Sequence, residues 1–176
     1  MKKQLLHSGW QLTTVGKNDT IPATVPGSVY NDLLNAGRME DPYWRDNEMK
    51  ALALMDEDYR YNTTFDVSAD VLNSERVLLR CEGLDTIADI VLNGEKIASV
   101  CNMHRTWEFD VKDSLKTTGN TLEIVFHSPT KYIKEQDKTC HAGGSDDAMV
   151  GFPNLRKAHC MFGWDWGPRL PDAGIW

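Results

Sequence analysis

The chain has 176 residues, a formal net charge of −7, 41% hydrophobic and 26% charged residues, enough apolar side chains for a packed core and too many for a wholly disordered chain. Its length suits one all-β domain, and its acidic balance lacks the attraction to phosphate backbones on which nucleic-acid binding depends. No stretch approaches the roughly 20 apolar residues that span a bilayer, so neither nucleic acid nor membrane is an expected partner.

At the start of the chain, Lys2-Lys3 is followed only by Leu5-Leu6 before His7 and Ser8, which does not make the apolar core of a signal peptide. The first helical signal covers residues 28–36 (SVYNDLLNA), which follow Pro26-Gly27, begin with a serine able to cap and stop at Gly37. Apolar residues alternate across 59–67 (YRYNTTFDV), and 76–81 (RVLLRC) reads as a more fully buried strand. Asn62-Thr63-Thr64 matches a glycosylation acceptor, but it falls inside the first of these strands and is read as structural.

Residues 87–92 (IADIVL) and 97–101 (IASVC) flank Asn93-Gly94, a pair that supplies the positive φ angles of a tight hairpin. Residues 106–111 (TWEFDV) alternate so that Trp107, Phe109 and Val111 share a face, and 121–126 (TLEIVF) follow the turn signal Gly119-Asn120. A second short helix is expected over 129–136. Short strands at regular spacing with few helices predict the all-β class, an antiparallel jelly-roll β-sandwich with short helices.

Residues 140–176 differ, with Gly143-Gly144, Gly151, Pro153, Gly163, Gly167, Pro168, Pro171 and Gly174 breaking any regular pattern. Such a segment is expected to be largely loop and to carry a binding function. The sequence ends at Gly174-Ile175-Trp176 as an apolar stretch begins, which reads as a cut within a longer chain.

The four cysteines, Cys81, Cys101, Cys140 and Cys160, form no CxxC pair, and a chain of this length can build a core without covalent staples. Free thiols in a reducing cytoplasm are expected. Cys140-His141 and His159-Cys160 could be pooled as metal ligands, but adjacent strand residues face opposite sides and no zinc-type spacing links them. Neither a metal nor a cofactor is expected.

Two acid pairs are candidates for paired-carboxylate chemistry, which needs two carboxyl groups within roughly 5 to 9 Å of each other. Asp85 and Asp89 would lie more than about 13 Å apart on a regular strand and read as rim or turn acids. Asp146-Asp147 sits in a glycine-rich loop, where a helix cap or an Asx-turn is the expected role. Neither pair is assigned a catalytic function.

The densest aromatic cluster is Phe162-Gly163-Trp164-Asp165-Trp166-Gly167-Pro168-Arg169, in a chain with six tryptophans. A pyranose packs its C–H faces on electron-rich rings while its hydroxyls need carboxylate or amide partners. Aromatic rings beside an acid therefore suit a carbohydrate, with Arg169 able to orient or neutralise Asp165. On a regular strand, however, Trp164 and Trp166 share one face and could equally be core anchors, with Asp165 solvated on the other.

Residues 159–169 (HCMFGWDWGPR), continued by 170–176 (LPDAGIW), resemble the tryptophan-rich signature of the β-mannosidases, within glycoside hydrolase family two. Residues 83–94 (GLDTIADIVLNG) resemble the sandwich-domain hairpin of that family, which galactosidases and glucuronidases share. Val25-Pro26-Gly27-Ser28-Val29 resembles its N-terminal turn, and Asp41-Pro42-Tyr43 with Asn47-Glu48 its next loop.

The resemblance implies a multidomain retaining exo-glycosidase that removes terminal, non-reducing β-D-mannose, with one glutamate as acid/base and another as nucleophile in a later TIM barrel. Residues 1–176 are then its N-terminal galactose-binding-like jelly roll, with no catalytic residue, and inactive alone. Its partners are a β-mannoside or manno-oligosaccharide in the complete enzyme and the C-terminal domains of the same protein. The resemblance carries Asp165 over as a sugar-hydroxyl acceptor and Trp164 as a wall of the mannose subsite, with Trp166 packing inward beside them. Because Trp164 and Asp165 cannot share a strand face, Gly163 and Gly167 are expected to permit an irregular turn. The alternative is a free-standing carbohydrate-binding module, which a stop codon directly after Trp176 would favour.

Overall fold

The computed structural model describes residues 2–143, 145 and 147–176; Gly144 and Asp146, named above, lie outside the described residues. In chain order the elements are β1 (Gln11–Thr14), β2 (Thr20–Pro22), β3 (Gly27–Ser28), α1 (Val29–Asn35), α2 (Asn47–Leu54), β4 (Tyr59–Phe65), α3 (Ala69–Leu72), β5 (Leu78–Cys81), β6 (Leu84–Asp85), β7 (Ile87–Leu92), β8 (Glu95–Cys101), β9 (Trp107–Asp110), β10 (Asn120–Phe126), α4 (Pro129–Asp137), β11 (Phe162–Trp164), β12 (Gly167–Arg169) and β13 (Gly174–Ile175).

A six-stranded antiparallel sheet in the order β2-β1-β4-β10-β7-β8 forms the larger layer. Its inner face carries Leu12, Tyr61, Ala88, Ile90, Leu122 and Ile124, all buried in the main core, and the β5–β9 pair closes over them with Cys81, Leu79, Trp107 and Phe109. Alternation along β4 and β10 matches this face, since Tyr59, Tyr61 and Thr63, like Leu122, Ile124 and Phe126, are buried every second residue. The two strands pair from Asn120↔Phe65 to Phe126↔Tyr59. Asn62, the sequon residue, is a ladder residue of β4, opposite Gln11 and Glu123.

The Asn93-Gly94 turn joins β7 to β8 with φ of 53° and 84°, the geometry that the dipeptide supplies without a steric penalty. α1 begins where Ser28 accepts a hydrogen bond from the Asn31 amide, and α4 begins with Ser128 accepting from Lys131 ahead of Pro129. α1 is tied to the sandwich by Asp32, whose carboxylate accepts from the Tyr61 hydroxyl and the Thr24 amide, each at 2.9 Å. Burial raises the pKa of that carboxyl.

Two expectations are corrected. The 76–81 strand is not deeply buried: β5 spans Leu78–Cys81, only Cys81 is buried, and Leu78 is exposed. β5 belongs to a two-stranded outer layer, so Arg80 turns to solvent and pairs with Glu82 and Glu108. Asp85 is not a rim acid. It is buried on β6 against Lys157, while Asp89 stays near the surface of β7 and bonds Lys96, Ser99 and His127. The helix α2 and the strands β1 and β2, which no sequence signal marked, complete the fold. Among the described residues no helix is long and apolar enough to cross a membrane.

Candidate functional site

Among the described residues of 140–161 the regular elements are two short 3-10 turns, Phe152–Asn154 and His159–Met161, and the chain then doubles back as the hairpin β11–β12. Phe162 stands opposite Arg169 and Trp164 opposite Gly167, which leaves Asp165-Trp166 as a two-residue turn. Period-two alternation does not extend through such a turn. For that reason neither tryptophan becomes a core anchor: Trp164 is 51% exposed and Trp166 79% exposed. The inward packing expected of Trp166 is thus corrected. The two rings tilt at 52° with centroids 6.5 Å apart, and Asp165 is exposed between them in sequence.

The hairpin is rooted by Phe162, which is fully buried with Ile133 and Leu155 in a second apolar cluster beneath α4. Phe152 stacks on it at 6.2 Å. The Met149 amide donates to the Phe162 carbonyl at 3.0 Å, and the Leu170 amide to the Met161 carbonyl at 2.8 Å. Gly163 has φ of 108°, and a Cβ there would lie 2.5 Å from the Asp147 carbonyl and 2.8 Å from Arg169 Cγ. Only glycine fits that crossing.

Arg169 does not turn to Asp165. Its Nε donates to Glu48 Oε1 on α2 at 2.7 Å, and its backbone N–H donates to the same oxygen at 3.0 Å. Burial works to raise the Glu48 pKa, but the hydrogen bonds and charge of Arg169 outweigh it and hold the carboxyl below its usual range. Asp165 is exposed, next in the chain to two open indoles. Such a turn can stack on the apolar face of a ring-shaped polyol and accept its hydroxyls.

Lys157 anchors the chain on either side of the hairpin's sequence. Its side chain is fully buried, bonded to the Asp85 carboxylate and, at 2.5 Å, to the Asp172 carbonyl. It thereby fastens the chain at residues 157 and 172 to the sandwich. Among the described residues no group of three or more His, Cys, Asp or Glu is gathered as metal ligands. His159 instead packs edge-on against Phe152 at 4.9 Å, and His141 pairs with Asp137.

Residues 10–176 match the family model described as glycosyl hydrolase 2 galactose-binding domain-like. The chain belongs to that family. Within glycosyl hydrolase 2 it is similar to the β-mannosidase of Bos taurus, 33% identical over 97% of this chain, and to β-mannosidase A of Emericella nidulans, 36% identical over 95%. The chain spans about a fifth of the length of these relatives, 20% and 18% respectively. The crystal structure of a β-D-mannosidase from Dictyoglomus thermophilum superposes with a TM-score of 0.91 and 38% identity, over 97% of this chain and 21% of that one. A β-D-glucuronidase from the same organism, 17% identical over 70% of this chain and 19% of its own, shares the fold at a TM-score of 0.52. The glycosyl hydrolase 2 domain is thus an antiparallel β-sandwich with short helices, as its strand pattern predicted.

Sequence reasoning singled out the Trp164-Asp165-Trp166 run but missed the Glu48–Arg169 and Lys157–Asp85 pairs. Glu48 and Lys157 carry no local signal for their roles, because their partners lie 121 and 72 residues away along the chain.

Proposed function

We propose that this domain is the N-terminal part of a retaining exo-β-mannosidase and lends Trp164, Asp165 and Trp166 to the subsite for the terminal, non-reducing mannose. The observation that carries this reading is the Asp165-Trp166 turn, an exposed acid beside two solvent-facing indoles on a rooted hairpin. Similarity to β-mannosidases over nearly the whole chain supports the choice of sugar.

In this reading Asp165 accepts sugar hydroxyls, Trp164 walls the pocket and Trp166 covers its rim. A TIM barrel beyond residue 176 supplies the acid/base and nucleophilic glutamates, and residues 1–176 supply no catalytic group. The three exposed thiols, Cys101, Cys140 and Cys160, suit a reducing, cytoplasmic setting.

The test is Asp165→Ala in the full-length protein, assayed on a chromogenic β-mannoside beside a thermal unfolding curve. A charge-assisted hydrogen bond to a hydroxyl is worth about 1.5 to 3 kcal/mol, so kcat/KM is expected to fall roughly ten- to over a hundredfold. A normally folded variant with wild-type kcat/KM would remove Asp165 from the subsite. The purified 1–176 chain is expected to give no turnover above a catalyst-free control.

A further inference from the structure

A hairpin of two three-residue strands is marginal without outside support, and the support of this one is asymmetric. β11 is rooted through buried Phe162, whereas Gly167, Pro168 and Arg169 of β12 are all only half-buried. The outer strand is instead gripped by α2. One oxygen of Glu48 takes both the backbone N–H and the Nε–H of Arg169, and Arg169 Nη2 reaches the Met49 sulfur at 3.5 Å. The backbone bond matters most, since it holds the strand itself as well as a side chain. The Arg169 stem also crosses Gly163 of the opposite strand, where a Cβ would stand 2.8 Å from Cγ. Glu48 is 25% and Arg169 39% exposed in their side chains, so the pair is partly shielded from solvent competition.

We infer that Glu48 is a positioning residue for the Trp164-Asp165-Trp166 turn, acting through Arg169 from a helix outside the hairpin. The inference rests on the proposed sugar-site role of that turn and adds what orients it. Phe162 holds one strand from below and Glu48 holds the other from the side, so the turn has a defined direction relative to the sandwich. Without Glu48 the Arg169 end of β12 is released, and the acid and indoles lose their common aim. Misplacing a binding group by about 1 Å can cost up to about a hundredfold in rate.

The experiment is a double-mutant cycle in the full-length protein with Glu48→Ala, Asp165→Ala and the double variant, together with amide hydrogen exchange over residues 162–169. Glu48→Ala is expected to lower kcat/KM roughly tenfold or more and to speed exchange at 162–169 while β4 stays protected. Glu48→Gln, which keeps an acceptor for the Arg169 amide, is expected to restore much of both. In the Asp165→Ala background, Glu48→Ala should cost less than it does in the wild type, since only the aim of the two indoles is left to lose. Full kcat/KM in Glu48→Ala, or a loss that simply adds to that of Asp165→Ala, overturns the inference and leaves the sugar-site reading standing. If Asp165→Ala itself has no effect, the sugar-site reading fails instead. Faster exchange at 162–169 in Glu48→Ala then still upholds the Glu48 clamp, and unchanged exchange overturns it as well.

Discussion

The Lys157 ammonium meets the Asp85 carboxylate where the two side chains are 0% and 3% exposed. Burial pulls the lysine pKa below its usual value, against the attraction of Asp85. Nearby, burial pushes the Asp172 carboxyl up to about 6, although its Oδ1 accepts from the Tyr30 and Ala173 amides. This polar chain joins β6 and α1 to the segment that leads into β13, and it holds the base of the loop region in one arrangement.

Lys157→Met leaves the Asp85 carboxylate buried without its partner. Breaking such a pair from one side costs about 3–5 kcal/mol, to be read from the urea unfolding midpoint. The double variant Lys157→Met/Asp85→Asn carries no stranded charge and is expected to be more stable than Lys157→Met alone. A loss below about 1 kcal/mol in Lys157→Met would show that water reaches the pair.

Asn93 does more than set a turn. Its Nδ2 donates to the Ser114 carbonyl at 2.7 Å and to Asn120 Oδ1 at 3.0 Å, and its Oδ1 accepts from the Thr121 amide at 2.9 Å. Asn93→Ala loses three bonds and places alanine at φ 53°, a combined cost of about 2–4 kcal/mol. Asn93→Gly keeps the turn and loses only the bonds, so it should fall between alanine and wild type in thermal unfolding. Equal stability of the two variants would assign the whole effect to the side chain.

His127 bridges Asp58 through Nδ1 and Asp89 through Nε2, each at 3.1 Å. Burial opposes its charge, but the two carboxylates outweigh burial and raise its pKa. Asp89, which burial would raise, is held down to about 2 by Lys96, Ser99 and His127. A raised folded pKa gives stability that is full below the unfolded value near about 6.5 and is lost as pH rises through the folded value. The histidine side chain is 41% exposed, so solvent screening keeps the effect below about 1 kcal/mol. The stability gap between wild type and His127→Gln should therefore narrow as pH rises from about 6.5 into the alkaline range. A gap that stays constant across that range would mean that the bridge does not depend on a charged imidazole.

Asp165→Asn separates charge from shape at the turn. The amide keeps one acceptor oxygen without the negative charge, so kcat/KM in the full-length protein should lie between wild type and Asp165→Ala. If asparagine is as poor as alanine, charge is the required property. If it matches wild type, one neutral acceptor suffices.

Short-range features were legible in the amino-acid order alone. Alternation in 59–67 and 121–126 marked two central strands of the large sheet, because a half-buried strand must repeat every second residue. Asn93-Gly94 marked the β7–β8 hairpin, because few residues tolerate positive φ, and the aromatic-acid run 162–169 marked the candidate site. Tertiary structure decided what these local rules do not reach. The apolar run of β5 proved half-exposed because its two-stranded layer is covered on one side only. Trp164 and Trp166 proved exposed because a two-residue turn interrupts the alternation that would have paired them on one face. Glu48 met Arg169 and Lys157 met Asp85 across long stretches of chain. Local periodicity records which way a residue faces within its own element, whereas the partner of a charge depends on how separate elements pack.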